Sequence, residues 1–201
     1  MRIGKKEKEI MRKKKRQQYL YHGSKRKNID MLVPKTTRGR KELGNVVYGT
    51  KHKSLAATFI PRTSLKNEPE ISMIKGKPIV LIPNKKNFLK NDRGGAIYKI
   101  KNSPAFSKDL YAKNYQFGKF ERISRRKIKP IDKKVYDSSI DAMVENGAIV
   151  YFVNKKQLYE YRKLIDNGMK PIEDKKLFGF FRKLTSENEK KGKIKKYWWR
   201  K

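Results

Sequence analysis

The chain has 201 residues and no cysteine, which excludes disulfides, Cys-ligated zinc and thiol nucleophiles. Its 54 Lys and Arg against 19 Asp and Glu leave a formal net charge of +35, so self-repulsion opposes compaction unless a polyanion relieves it. Hydrophobic residues make up 36% and fall in short runs, none near the roughly 18 residues of a membrane helix, which fits one modest core with extensions.

In chain order, Lys5 to Gln18 consists of good helix formers whose apolar positions are little more than Ile10 and Met11. It has no face to bury and reads as a solvated basic arm, with Lys13, Lys14, Lys15 and Arg16 expected to contact nucleic acid. Met1 to Gln18 also lacks the apolar stretch of a secretory signal, and the expectation is a cytoplasmic protein without a membrane partner. Tyr19 to Tyr21 reads as a strand that runs directly into His22-Gly23-Ser24, and Val46 to Tyr48 as a second strand. Val33 to Gly44 between them, with Pro34, Gly39 and Gly44, reads as a loop.

Leu55, Ala56, Phe59 and Ile60 recur at helical spacing within His52 to Ile60, and Pro61 ends that helix. Thr63 to Gly76 reads as loop, Ile79 to Ile82 as a strand, Asn84 to Gly95 as a basic turn-rich link, and Ala96 to Ile100 as the next strand. Asn102 to Gly118 reads as a long loop, followed by short strands over Phe120 to Ser124 and Lys127 to Ile131. Ala148 to Val153 is the most apolar run and predicts a central strand. Leu158, Tyr161, Leu164 and Ile165 then share one helical face up to Gly168. A second stripe of Leu177, Phe178, Phe181 and Leu184 follows an N-cap at Asp174. In the tail, Lys195 and Lys196 with Trp198 and Trp199 combine charge with faces that stack on bases.

Some chemistries drop out. Gly39 to Asn45 has the outer glycine spacing of a phosphate loop, but Asn45-Val46 stands where Lys-Ser/Thr is required, and no GxGxxG opens a helix. His22 and His52 are the only histidines, with no carboxylate cluster at ligand spacing, so no metal is expected. What remains is LYHGS (Leu20 to Ser24) followed by VVYGT (Val46 to Thr50). Each sets a polar side chain at the end of a short apolar strand, then a glycine that admits close backbone approach, then a hydroxyl. His supplies a donor and an acceptor for sugar hydroxyls, and Tyr a flat face for a cationic ring.

These segments, with Ile29 to Leu32, Pro34 and the helix holding Ala56-Ala57 and Phe59, resemble the first half of the ADP-ribosyltransferase fold. The form is the His-Tyr-Glu group that includes the poly(ADP-ribose) polymerases. Ala96 to Phe106 and Glu121 to Ile131 are similar to the second half of the small rifampin ADP-ribosyltransferases, and the resemblance spans about Gln18 to Val153. It implies an α+β fold with a split β-sheet core: a basic arm over 1–17, the ADP-ribosyltransferase-like domain over 18–153, and a basic helical C-terminal extension over 154–201. It also implies NAD as substrate. His22 would bind a ribose hydroxyl, the Gly23 backbone would hold the nicotinamide amide, Ser24 would support that turn, and Tyr48 would stack on the nicotinamide. Glu121 would steady the ribose cation, with Asp109 its rival under the rifampin-type arrangement. The family's second tyrosine has no counterpart in Ala56 to Ile60.

The expected function is NAD-dependent transfer of ADP-ribose to a nucleic-acid target or one associated with nucleic acid. The alternative is an inactive, basic nucleic-acid-binding protein on the same fold. DNA or RNA is the expected partner in both, through the arms and through Arg125 and Arg126, because counterion release from phosphates gives affinity without sequence reading.

Overall fold

The computed structural model describes residues 19–36, 43–61, 69–74, 76–108, 117, 120–166 and 179–184. Lys13, Lys14, Lys15, Arg16, Asp109, Asp174, Lys195, Lys196, Trp198 and Trp199 lie outside them. The described elements are strands β1 (Tyr19–Ser24), β2 (Lys35–Thr36) and β3 (Asn45–Thr50), helix α1 (Lys53–Ala57), β4 (Glu70–Ile74), β5 (Lys77–Pro83), α2 (Lys85–Asn91), β6 (Gly95–Lys101), β7 (Ser107–Lys108), β8 (Glu121–Ser124), β9 (Asp132–Tyr136), α3 (Ser139–Glu145), β10 (Ile149–Val153) and α4 (Lys155–Asp166). The class is α+β. An antiparallel seven-stranded sheet runs β7-β8-β3-β1-β6-β9 with β2 also on β3, and a three-stranded sheet runs β10-β5-β4.

Strand periodicity explains how the layers stack. Alternate residues of β5 point to opposite faces. Val80 and Ile82 join Ala56, Ala57 and Ile60 from the α1 region, Ile97 of β6 and Met143 of α3 in a core that lies between the two sheets. Ile79 and Leu81 turn the other way and meet Tyr161 of α4 with Phe181 and Leu184. Helix α4 therefore closes the far side of the small sheet, with Leu158, Leu164 and Ile165 packed on that core. Ser72 of β4 and the Tyr161 hydroxyl are hydrogen-bonded there, and Arg162 reaches Glu70 with Nε at 2.9 Å and Nη2 at 2.6 Å.

Several local expectations change. Glu70–Ile74 within the expected Thr63 to Gly76 loop is a strand, and Asn84 to Gly95 contains a helix. That helix starts where the Asn84 side chain accepts from the Asn87 amide, which supplies a cap despite the basic, turn-rich composition. Lys127 to Ile131 forms one bridge, Leu32 to Ile128, instead of a strand; Pro130 has no amide to donate, and the ladder begins at Asp132. Ala148 to Val153 lies at the margin of its sheet instead of the centre. Its apolar run reflects burial on both faces: Val150 and Phe152 pack on the core between the sheets, while Tyr151 and Val153 lie in the outer one. No helix among the described residues is long and apolar enough to cross a membrane.

Asp92 ties α2 to α3. Its carboxylate accepts from the Gly94 amide at 3.0 Å, the Ser138 hydroxyl at 3.0 Å and the Ser139 amide at 2.9 Å. Partial burial raises its pKa, but these donors outweigh it and hold the carboxyl below its ordinary 3.8. A lowered folded-state pKa contributes stability that is present above 3.8 and is lost as pH falls through the depressed value. Melting curves from pH 7 to about 2.5 should thus show a smaller acid loss for Asp92→Asn than for wild type, with Asp92→Asn already less stable at neutral pH. Parallel curves for the two proteins would show that the carboxylate contributes nothing.

Candidate functional site

The two signature segments sit on neighbouring strands. Leu20 buries the centre of β1 between the half-buried Tyr19 and Tyr21, and Val46 and Val47 are buried in β3. The strands share one register pair, Tyr21 with Thr50. Beside it, the Tyr48 carbonyl accepts from Nδ1 of His22 at 2.9 Å. A carbonyl only accepts, so Nδ1 carries the hydrogen and Nε2 of the neutral ring is left as an acceptor. Desolvation by burial lowers the His22 pKa below its ordinary 6.5, against the opposing pull of the Tyr48 carbonyl, so the neutral ring prevails at pH 7.

His22 and Tyr48 line one cavity of about 450 Å³, together with Lys25, Arg26, Leu32 and Lys35. The Tyr48 ring also packs on the small cluster of Leu43, Val46 and Ile123. Ser24 closes the end of β1 by accepting from the Arg26 amide at 3.2 Å. Gly23 makes its own close approach to protein: a Cβ there would lie 1.7 Å from the Ala56 carbonyl oxygen, so glycine lets α1 press on β1.

Glu121 opens β8, the strand beside β3, and is 5% exposed. It stands opposite Thr50, while Tyr48 stands opposite Ile123. Pleating places Glu121, Thr50 and Tyr48 on one face, with Glu121 diagonal to Tyr48. His22 belongs to the opposite face, beside Tyr98 at 6.5 Å between ring centroids. The structure thus brings His22, Tyr48 and Glu121 onto three consecutive strands and gathers His22 and Tyr48 at one cavity, which Glu121 does not line. Arg125 and Arg126 are exposed just beyond β8.

Four residues near the site were not picked out from sequence. Lys25, Arg26 and Lys35 make the cavity wall cationic. His52 meets the Phe120 ring edge-on at 5.1 Å, beside Glu121, and burial together with Lys51 lowers its pKa from 6.5. The signal for the cations was their position, Lys25 and Arg26 directly after His22-Gly23-Ser24 and Lys35 directly after Pro34, but a chain of such positive charge gives single lysines no contrast. No group of His, Asp and Glu able to hold a metal ion occurs among the described residues. No protein-family model matches the chain, and no match is found among curated proteins or solved structures.

Proposed function

We propose that the chain is an NAD-dependent ADP-ribosyltransferase whose target is nucleic acid or bound to it. The observation that supports this reading is the adjacency of β1, β3 and β8, which sets the strands carrying His22, Tyr48 and Glu121 side by side although they are distant in the chain. Nε2 of His22, held neutral and oriented by the Tyr48 carbonyl, accepts from a ribose hydroxyl. Tyr48 lines the same cavity and would meet the nicotinamide by turning its ring off the Leu43, Val46 and Ile123 cluster, while Lys25, Arg26 and Lys35 face the diphosphate. As the bond from ribose C1′ to nicotinamide breaks, the leaving nicotinamide takes the electron pair. Positive charge then builds on the ribose, where the Glu121 carboxylate stabilises it until an acceptor nucleophile bonds to C1′ and loses its proton.

Calorimetric titration with NAD tests the binding half. His22→Ala should weaken binding by about 1 kcal/mol, the value of one sugar hydrogen bond. Tyr48→Ala should weaken it by about 1–2 kcal/mol through lost contact with the pyridinium. Equal affinity in all three proteins would remove the cavity from the account.

A second reading draws on the position of Glu121 opposite Thr50, outside the wall of the His22 cavity. In it the chain binds nucleic acid without catalysis, and the +35 charge is its functional feature. Wild-type protein that binds DNA or RNA yet releases no nicotinamide from NAD would establish this reading over the first.

A further inference from the structure

The segment from Arg125 to Lys129 carries Arg125, Arg126, Lys127 and Lys129, all exposed, with Ile128 as the one apolar position. Its backbone is fastened along its length. The Arg126 amide donates to the Ser124 hydroxyl at 3.1 Å, and Nη2 of Arg125 donates to the Leu43 carbonyl at 3.3 Å. Ile128 and Leu32 exchange two backbone hydrogen bonds, each 2.9 Å. The Ile131 amide then donates to the Lys99 carbonyl at 2.9 Å. Leu32 lines the His22 cavity, so the bridge sets this row of cations one strand spacing from the cavity wall. None of the four belongs to the wall itself.

Apolar side chains interrupt the charge. Met31 and Val33, which line the cavity, are 42% and 46% exposed, and Ile131 beyond the cationic row is 53% exposed. A duplex presents phosphates but hides the faces of its bases, and would leave these side chains against water. An unpaired strand presents both. We propose that the Arg125–Lys129 segment is the seat of a single-stranded nucleic acid, whose phosphates lie on Arg126, Lys127 and Lys129 and whose bases cover Met31, Val33 and Ile131. A fixed backbone under exposed cationic side chains limits the ordering cost of seating a flexible strand. That the strand is also the ADP-ribose acceptor rests on the transferase reading; the seat itself does not.

The test compares two charge-reversed variants of the full chain, Arg126→Glu/Lys127→Glu/Lys129→Glu and Lys86→Glu/Lys90→Glu/Lys163→Glu, which change net charge equally. Arg125 is left in place because it holds the Leu43 carbonyl. A labelled oligouridylate and a duplex of the same length are titrated against each at several salt concentrations, and NAD binding is measured in parallel. The first variant should bind the single strand roughly tenfold or more weakly than wild type, with a salt slope shallower by about 0.7 per lost contact, while the second changes little. Wild type should prefer the single strand to the duplex. Equal loss in both variants would show diffuse attraction and overturn the seat, as would a preference for duplex. Binding to phosphatidylserine vesicles in place of the oligonucleotide, abolished by the first variant, would overturn it in favour of a lipid surface. Loss of strand binding with NAD affinity unchanged supports the seat and shows the cavity intact. Selective strand loss in a protein that never binds NAD supports the seat and removes the transferase reading alone.

Discussion

Gly23→Ala should cost more stability than any other single methyl group added at a described glycine of the signature segments. A Cβ at position 23 would lie 1.7 Å from the Ala56 carbonyl oxygen and 2.8 Å from its carbon, and both are backbone atoms that cannot rotate away. Relief requires α1 to lift off β1. That helix buries Leu55, Ala56 and Ala57 completely, and Ala56, Ala57 and Ile60 anchor the core between the sheets. Overpacking of a well-filled core costs about 1–3 kcal/mol where side chains can shift, and more where backbone must move. We therefore expect a loss of at least about 3 kcal/mol, a large part of the stability of an ordinary domain. Urea denaturation followed by circular dichroism measures it. Gly179→Ala is the control: Gly179 opens the described helical stretch 179–184 and a Cβ there meets nothing within 4 Å, so alanine should be close to neutral or gain up to about 1 kcal/mol. A Gly23→Ala protein within about 1 kcal/mol of wild type would mean that α1 does not seat on β1 as described.

The same glycine shows which parts of the molecule its sequence revealed. LYHGS marked a strand end followed by a residue chosen for close approach, and both features are local. What approaches is set by tertiary structure, and in this fold the neighbour is the Ala56 carbonyl. Strands β1, β3 and β6 were legible as short contiguous runs of apolar and aromatic residues bounded by polar or glycine-containing segments. Strand β9, DKKVY, was not, because its first four residues are exposed at the sheet margin and it needs few apolar positions. Helix α3 rests on the Ser138 cap, which accepts from the Ile140 and Asp141 amides, a short signal beside the longer C-terminal stripes. The strand order that places Glu121 two strands from His22 depends on long-range pairing, which no local window contains. The diagonal offset of Glu121 from Tyr48 follows from register, set by the pairing of Thr50 with Glu121.

That offset makes Glu121→Gln the decisive substitution. Glutamine keeps the size of the side chain and an oxygen in a site that is 5% exposed, so packing along β8 is retained while the charge is removed. Under the transferase reading the carboxylate acts on positive charge that exists only as the nicotinamide bond breaks. An interaction confined to the transition state lowers turnover and leaves substrate affinity nearly unchanged. Removal of one such electrostatic contact typically costs about 10²- to 10³-fold in rate. Nicotinamide release by Glu121→Gln should fall by that factor, with NAD affinity within about threefold of wild type, since ground-state contacts are untouched. Parallel losses of affinity and rate would assign Glu121 a structural part in holding β8 against Thr50. Full activity in Glu121→Gln with the large loss in Asp109→Asn would move the acid to Asp109. If instead wild type binds NAD and releases no nicotinamide, Glu121, outside the cavity and on the sheet face opposite His22, does not reach the ribose, and the cavity serves binding alone.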